Sequence, residues 1–363
     1  MTSAGAVADG GRQAPLRFGL IGASDIAATR VVPALRRCGH EAAAVVSSSP
    51  ERARSYAAAN DIGWATTELE ELLARDDVDA VYVSTTNELH HAQTLAAAAA
   101  GKHVLCEKPL ALTVADAWEM VHACASAGVV LATNHHLPAA GTHRAIRRLV
   151  ADGAIGEPHA VRVFHAVQLP ERLRGWRLTA PERGAGVILD VTSHDAAAVN
   201  AILGREAIEA AALAVRQGPW EAAVEDAVVA ALRYDGEVLV QTHDAFTVAH
   251  AGTGLEVHGT EGSIVATDVM TQDPVGGVVL RTASGERDIE PADRRDLYEV
   301  TIEAFAAAAA GAGRPLVDGP DGARALAVAV AVQQAAENGR TVPVAWTPAP
   351  DATDRQGDPT CAR

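Results

Sequence analysis

Between Leu16 and Leu131, short apolar runs alternate with segments whose apolar positions recur every three or four residues, the pattern of strands and amphipathic helices taking turns. The strands predicted are residues 17–21, 42–47, 80–84, 103–106 and 129–132, and the helices between them imply repeated βαβ units in a parallel sheet. Ser49 before Pro50 reads as a helix cap followed by a first-turn proline, and Thr67-x-x-Glu70 reads as a capping box. After about residue 155 the period changes. Longer alternating runs over 160–167, 227–233, 238–243, 255–258, 263–266 and 278–281 predict an antiparallel sheet. A helix over 190–203 interrupts it, and helices over 297–310 and 321–338 close the chain.

A length of 363 residues suits two domains, which we place at 16–135 and 136–346. The leader 1–15 and the tail 347–363, the latter rich in Pro, Asp and Thr, are expected to be disordered. The leader lacks a basic start followed by an apolar stretch, and every apolar run stops before the roughly 18 residues that span a bilayer. A soluble, cytoplasmic protein is expected. Cys38, Cys106, Cys124 and Cys361 form no C-x-x-C pair, which fits a reducing compartment. The net charge of −16 argues against a nucleic-acid partner, because phosphate binding needs clustered cations. Metal chemistry is also disfavoured: His90-His91, His135-His136 and His143 do not combine with Cys or acidic residues at zinc-ligand spacing, and they read mostly as surface or structural groups. Serine hydrolysis lacks a G-x-S-x-G elbow.

The first strand runs into Gly22-Ala23-Ser24-Asp25-Ile26-Ala27, a variant of the dinucleotide fingerprint G-x-G-x-x-G/A in which Ser24 replaces the second glycine. Gly22 permits the tight turn, Ala27 is small enough for helix-to-strand packing, and amides at the helix start can face a pyrophosphate. The second strand ends in Val46-Ser47-Ser48-Ser49 rather than in the carboxylate that would bind a ribose 2′-hydroxyl. Ser47 and Ser48 can donate to a 2′-phosphate and Arg52 can pair with it, which favours NADP(H) over NAD(H). The fold class is therefore α/β: an N-terminal βαβ domain with a parallel sheet and a C-terminal α+β domain with an antiparallel sheet.

Two constellations carry chemistry. Glu107-Lys108-Pro109 follows an apolar strand, so Lys108 stands at the carboxyl edge of a parallel sheet, where ligands bind. The proline holds Lys108 extended, and a cis bond would suit the sharp exit. Asp190 and His194 stand four apart; on one helix face the carboxylate would orient and charge the imidazole, making it a proton donor. Lys108 would polarise a carbonyl, with the final donor being either Lys108 or His194.

Together with Gly22–Ala27, these motifs occur in the order found in the glucose-fructose oxidoreductase and inositol dehydrogenase family, which the chain resembles over nearly its whole length. The segments VDAVYVSTTNELHHAQTLAA, GKHVLCEKPLAL, TNHHL, RVFHAVQLP, GWRL and LEVHGTEGS carry the resemblance further, to the branch acting on anhydro-sugars. The resemblance implies an N-terminal Rossmann domain with a parallel sheet, a C-terminal α+β domain with a large, open, mainly antiparallel sheet, and NADPH-dependent reduction of a cyclic keto-sugar, 1,5-anhydro-D-fructose to 1,5-anhydro-D-mannitol. It also implies a cofactor lining of Ala23 to Ile26, Ser47, Ser48, Arg52, Thr85, Thr86, Asn87, Glu88, Leu89, His90, Glu107, Lys108, Asn134, Trp176, Arg177 and Tyr298. Lys108, Asp190 and His194 become the catalytic group, and His165, Trp176 and Arg177 the substrate contacts. Where that branch has Arg and Asn after the paired histidines, this chain has Pro138 and Ala139. Two other readings stay open: a sugar, polyol or dihydrodiol dehydrogenase of the same family, and a cofactor-sensing regulator without catalysis. Lys108, Asp190 and His194 together argue against the regulator. An exposed face of the second sheet would permit a homo-oligomer.

Overall fold

A computed structural model describes residues 14–347; most of the predicted leader and all but the first residue of the predicted tail lie outside them. The first sheet comprises β1 (Arg17–Ile21), β2 (Glu41–Val46), β3 (Trp64–Thr66), β4 (Ala80–Val83), β5 (His103–Cys106) and β6 (Leu131–Thr133). It has six parallel strands in the order β3-β2-β1-β4-β5-β6. Connections leave β1 and β4 in opposite directions, so a crevice opens between their carboxyl ends, the usual ligand site of such sheets. β1, β2, β4 and β5 are nearly all apolar and buried, as strands covered on both faces must be. Ser49 caps the helix Pro50–Ala59 by accepting from Arg52 N. The expected Thr67/Glu70 box does not form. That helix begins only at Leu69, its N-cap Glu68 makes no side-chain cap, and the Thr67 hydroxyl donates to Glu68.

The second sheet comprises β7 (Pro158–Ala166), β8 (Ala207–Val215), β9 (Ala227–Tyr234), β10 (Val238–Ala245), β11 (Gly254–Gly259), β12 (Gly262–Thr267), β13 (Gly277–Thr282), β14 (Gly285–Asp288) and β15 (Val342–Pro343). Its nine strands run in the order β14-β13-β12-β11-β7-β10-β9-β8-β15. Every pairing is antiparallel except β7 with β10, which is parallel, so the sheet is mixed. One face packs on helices; the other is open, and Leu213, Val215, Val229 and Leu239 are exposed there.

Two late helices tie the halves together. In Leu297–Ala309, Tyr298, Ile302 and Phe305 join the core of the first sheet, where Phe305 packs on Phe18 with ring centres 5.8 Å apart. The helix Gly319–Asn338 packs on β8 and Ser193–Leu203 on one side and on Val114–Ser126 and β6 on the other. Gly322 permits that approach, since a Cβ there would run into the Thr133 side chain. Among the described residues no helix is long and apolar enough to cross a membrane.

Candidate active site

A cleft of about 1440 Å³ runs from the β1 and β2 edges across Lys108 to the second sheet. Small-molecule sites are commonly about 300–1,000 Å³; this one has room for a dinucleotide and a small substrate. At one end, Gly22 has φ +108°, and a Cβ on it would stand 3.0 Å from the Ser84 carbonyl, so the turn tolerates no side chain. Ser24, the departure from the fingerprint, works within the protein. Its hydroxyl donates to Ser84 Oγ at 2.8 Å and accepts from Ala27 N at 3.1 Å, capping the helix that leaves the loop. Arg52 donates to the Ala23 carbonyl at 2.9 Å and lines the cleft with Ser47 and Ser48. A tight loop at a helix start and a carboxylate-free pair of serines beside an arginine fit a phosphate-bearing dinucleotide.

In the middle of the cleft, the Lys108–Pro109 bond is cis, as the sharp exit from β5 anticipated. The Lys108 ammonium donates to the Asp190 main-chain carbonyl at 2.6 Å and to its carboxylate. Arg177 Nε stands 3.4 Å from the other carboxylate oxygen. Burial would raise the Asp190 carboxyl, but Lys108 and Arg177 outweigh it and hold it down at about 2. Behind Lys108, Glu107 accepts from the Tyr82 hydroxyl and from Asn134 Nδ2, the latter at 2.6 Å. Burial raises its carboxyl above the ordinary range despite these donors.

The expected pairing of Asp190 with His194 is not what forms. Residues Ile188–Thr192 make a π turn before the helix Ser193–Leu203, so the i, i+4 geometry of an α-helix is broken between the two. Among the described residues no hydrogen bond or ion pair joins them. His194 Nδ1 instead meets His135 Nδ1 at 3.2 Å, and its ring lies edge-on to His136, 4.5 Å away. Burial, reinforced by the Lys108 charge, holds His194 well below the ordinary histidine range, so it is neutral.

Of the residues anticipated, Gly22 to Ile26, Ser47, Ser48, Arg52, Thr85 to Leu89, Glu107, Lys108, His165, Trp176, Arg177, Asp190, His194 and Tyr298 line this one cleft. Ala27, His90 and Asn134 do not. Ala27 is packed under the loop; His90 is buried behind it, its Nδ1 bonded to the Pro109 carbonyl at 3.0 Å; Asn134 sits behind Glu107. His136, read from the sequence as structural, reaches the cleft and stacks on Tyr298 at 5.9 Å between ring centres. Arg30 and Arg172 were also missed: Arg172 pairs with Asp25 at 2.5 Å and Arg30 with Asp273 at 2.9 Å, bridging the halves at the cleft mouth. Nothing local in the sequence joins residues so far apart.

Comparison with known proteins agrees with this geometry. Residues 16–135 match the GFO/IDH/MocA family described as oxidoreductases with an NAD-binding Rossmann fold, and residues 143–265 match its C-terminal domain. The chain is 53% identical to a 1,5-anhydro-D-fructose reductase of Ensifer adhaerens, over 90% of this chain and 98% of that protein. It is 34% identical to a dTDP-3,4-didehydro-2,6-dideoxy-alpha-D-glucose 3-reductase of Streptomyces violaceoruber, over 89% and 93% respectively. The crystal structure of an aldose-aldose oxidoreductase from Caulobacter crescentus, complexed with glycerol, superposes with a TM-score of 0.83 at 27% identity, over 91% of this chain and 99% of that one. With a dinucleotide loop, a lysine at the sheet edge and relatives matched nearly end to end, the chain belongs to the GFO/IDH/MocA oxidoreductase family.

Proposed function

We propose that the protein reduces a cyclic keto-sugar with NADPH, and that the substrate is 1,5-anhydro-D-fructose, converted to 1,5-anhydro-D-mannitol. The carrying observation is the Lys108 ammonium held by two Asp190 oxygens in the same cleft as the Gly22 loop and the Ser47/Arg52 end. The 53% identity to the Ensifer adhaerens reductase supports the choice of sugar. Ser47, Ser48 and Arg52 would hold a 2′-phosphate, the loop after β1 the pyrophosphate, and the cleft between Lys108 and Tyr298 the nicotinamide end.

Bound NADPH supplies the hydride that adds to the carbonyl carbon. Lys108 hydrogen-bonds the carbonyl oxygen, opposes the negative charge that develops on it, and gives it a proton. Asp190, itself held by Arg177, fixes the ammonium's position and balances its charge. His194, being neutral, positions substrate and does not act as the charged acid. Arg177 and Trp176, whose guanidinium and ring are stacked 4.9 Å apart, close the substrate side.

The test is NADPH oxidation by the purified protein with 1,5-anhydro-D-fructose, with the product identified. Turnover with NADH equal to or faster than with NADPH removes the cofactor assignment. Oxidation of polyols with no reduction of the ketose replaces the reductase with an oxidising dehydrogenase. We further propose a cytoplasmic location, supported by the unpaired thiols of Cys38, Cys106 and Cys124. A homo-oligomer formed through the open face of the second sheet is proposed from the apolar side chains exposed there.

A further inference from the structure

The one parallel pairing in the second sheet sets His165 of β7 opposite Asp244 of β10. From the layer above, the helix Ser193–Leu203 lowers Asp195 onto the same spot, where its Oδ1 bonds His165 Nδ1 at 2.7 Å. Both carboxyls are 0% exposed. The Thr192 hydroxyl donates to Asp244 Oδ2 at 2.5 Å. Among the described residues Asp195 Oδ2 and Asp244 Oδ1 are buried with no hydrogen-bond donor, while the two carboxyls lie within hydrogen-bonding reach of each other. Among the described residues no lysine or arginine pairs with either.

Two adjacent carboxylates in a dry interior do not both stay ionised. A proton between Asp195 Oδ2 and Asp244 Oδ1 satisfies both orphaned oxygens at once, and it leaves Asp195 Oδ1 free to accept from His165. Burial drives both carboxyls in the required direction, Asp195 up to about 7 and Asp244, with the Asp195 charge adding to burial, well above the ordinary carboxylate range. Burial also holds His165 down at about 4, against the pull of Asp244 and with the Lys108 charge pushing the same way, so the ring is neutral. His165 lines the cleft, and among the described residues its Nε2 has no hydrogen-bond partner.

We propose that Asp195 and Asp244 share one proton, and that the pair is a positioning device for His165: it takes the Nδ1–H hydrogen bond, fixes that tautomer, and leaves Nε2 as an acceptor for a substrate hydroxyl. The substrate class this selects is a ketone that also carries a hydroxyl, with the carbonyl oxygen taken by the donor Lys108 and the hydroxyl by the acceptor His165. That last step rests on the keto-sugar reading above; the proton sharing and the tautomer do not. Asp195 and Asp244 touch no substrate and act through the imidazole.

Two measurements test it. First, infrared difference spectra at neutral pH between the parent and Asp244→Asn should show a protonated-carboxyl band present only in the parent and shifted by 13C-aspartate. Nitrogen NMR of His165, assigned with His165→Gln, should show the neutral Nδ1–H form. An absent carboxyl band, or an Nε2–H ring, overturns the proposal without any turnover assay. Second, on the keto-sugar, Asp195→Leu should lower kcat/KM roughly tenfold, mainly through KM, with NADPH affinity and circular dichroism unchanged. Asp195→Asn should recover most of that loss, because an amide can accept from His165 and donate to Asp244 without the shared proton. An equal loss in both variants overturns the positioning role. Should no keto-sugar turn over while both spectroscopic signatures hold, the substrate reading fails and the carboxyl pair stands.

Discussion

An ammonium contributes to carbonyl chemistry only while it stays aimed, and Lys108 is aimed by a carbonyl and a carboxylate of a single residue, Asp190. Lys108→Ala is therefore expected to lower kcat by about 10²–10⁴, the usual span for a positioned proton donor, with little change in NADPH affinity. Steady-state kinetics beside a fluorescence titration would show this, and a matched loss of both would assign Lys108 to building the cleft instead. Stability should report the buried carboxyls. Asp195 rises from an ordinary 3.8 to about 7 on folding, so the stability it contributes is fully present below the lower value and is lost as pH climbs through the higher one. Melting temperatures across that window should fall less in Asp195→Asn than in the parent. Lys108 could be read from the chain because its strand, its proline and its place at a sheet edge are local or topological. The partners of His165 could not: Asp195 and Asp244 lie 30 and 79 residues further on, and only the packing of the helix Ser193–Leu203 and the β7–β10 register bring them to it.

Strands with a strong apolar signature formed where expected, β1 and β5 to the residue and β2, β4 and β6 with ends shifted by one or two residues. Those without it went unseen. Residues 207–215, IEAAALAV after the first alanine, have an alanine content that resembles a helix, yet they form β8 because pairing with β9 and packing of Gly319–Asn338 outweigh the propensity. The π turn at Ile188–Thr192 escaped the sequence for a similar reason, since a single widened turn leaves no periodic trace, and it redirects Asp190 from His194 to Lys108. Capping was legible where the side chain had no rival: Ser49 caps Pro50–Ala59, whereas Thr67 spends its hydroxyl on Glu68. The Ser49-capped helix carries Arg52 into the cleft, so Ser49→Ala should cost about 1 kcal/mol of stability. It should also raise the KM for NADPH more than that for NADH. Chemical denaturation and paired cofactor titrations check the two halves of that expectation.

Across the whole molecule the two sheets are joined by packing and by ion pairs of different strength. Arg172–Asp25 is largely exposed and Arg30–Asp273 partly so, and surface pairs of that kind contribute about 0–1 kcal/mol and weaken with salt. Arg172→Ala is accordingly expected to leave the melting temperature nearly unchanged while slowing NADPH association at low salt, because a cation is lost at the cleft mouth and Asp25 is left unpaired there, which stopped-flow fluorescence would resolve. The exposed Leu213, Val215, Val229 and Leu239 make a different demand, since an apolar patch on an open sheet invites a partner. Light scattering should find the parent as an oligomer and Leu213→Asp as a monomer with unaltered circular dichroism.

The helix Gly319–Asn338 has a further consequence for how the protein could be cut. It comes late in the chain yet fits between β6 and β8, with Gly319 against Leu131 and Gly322 against Thr133. Expressed without it, residues 14–135 would expose Leu131 and the face of Val114–Ser126 that it covers, so the dinucleotide-binding half is expected to be less stable as a fragment than in the whole chain. Cleavage in the segment before Gly319 should leave two pieces that remain associated on a sizing column until denaturant is added.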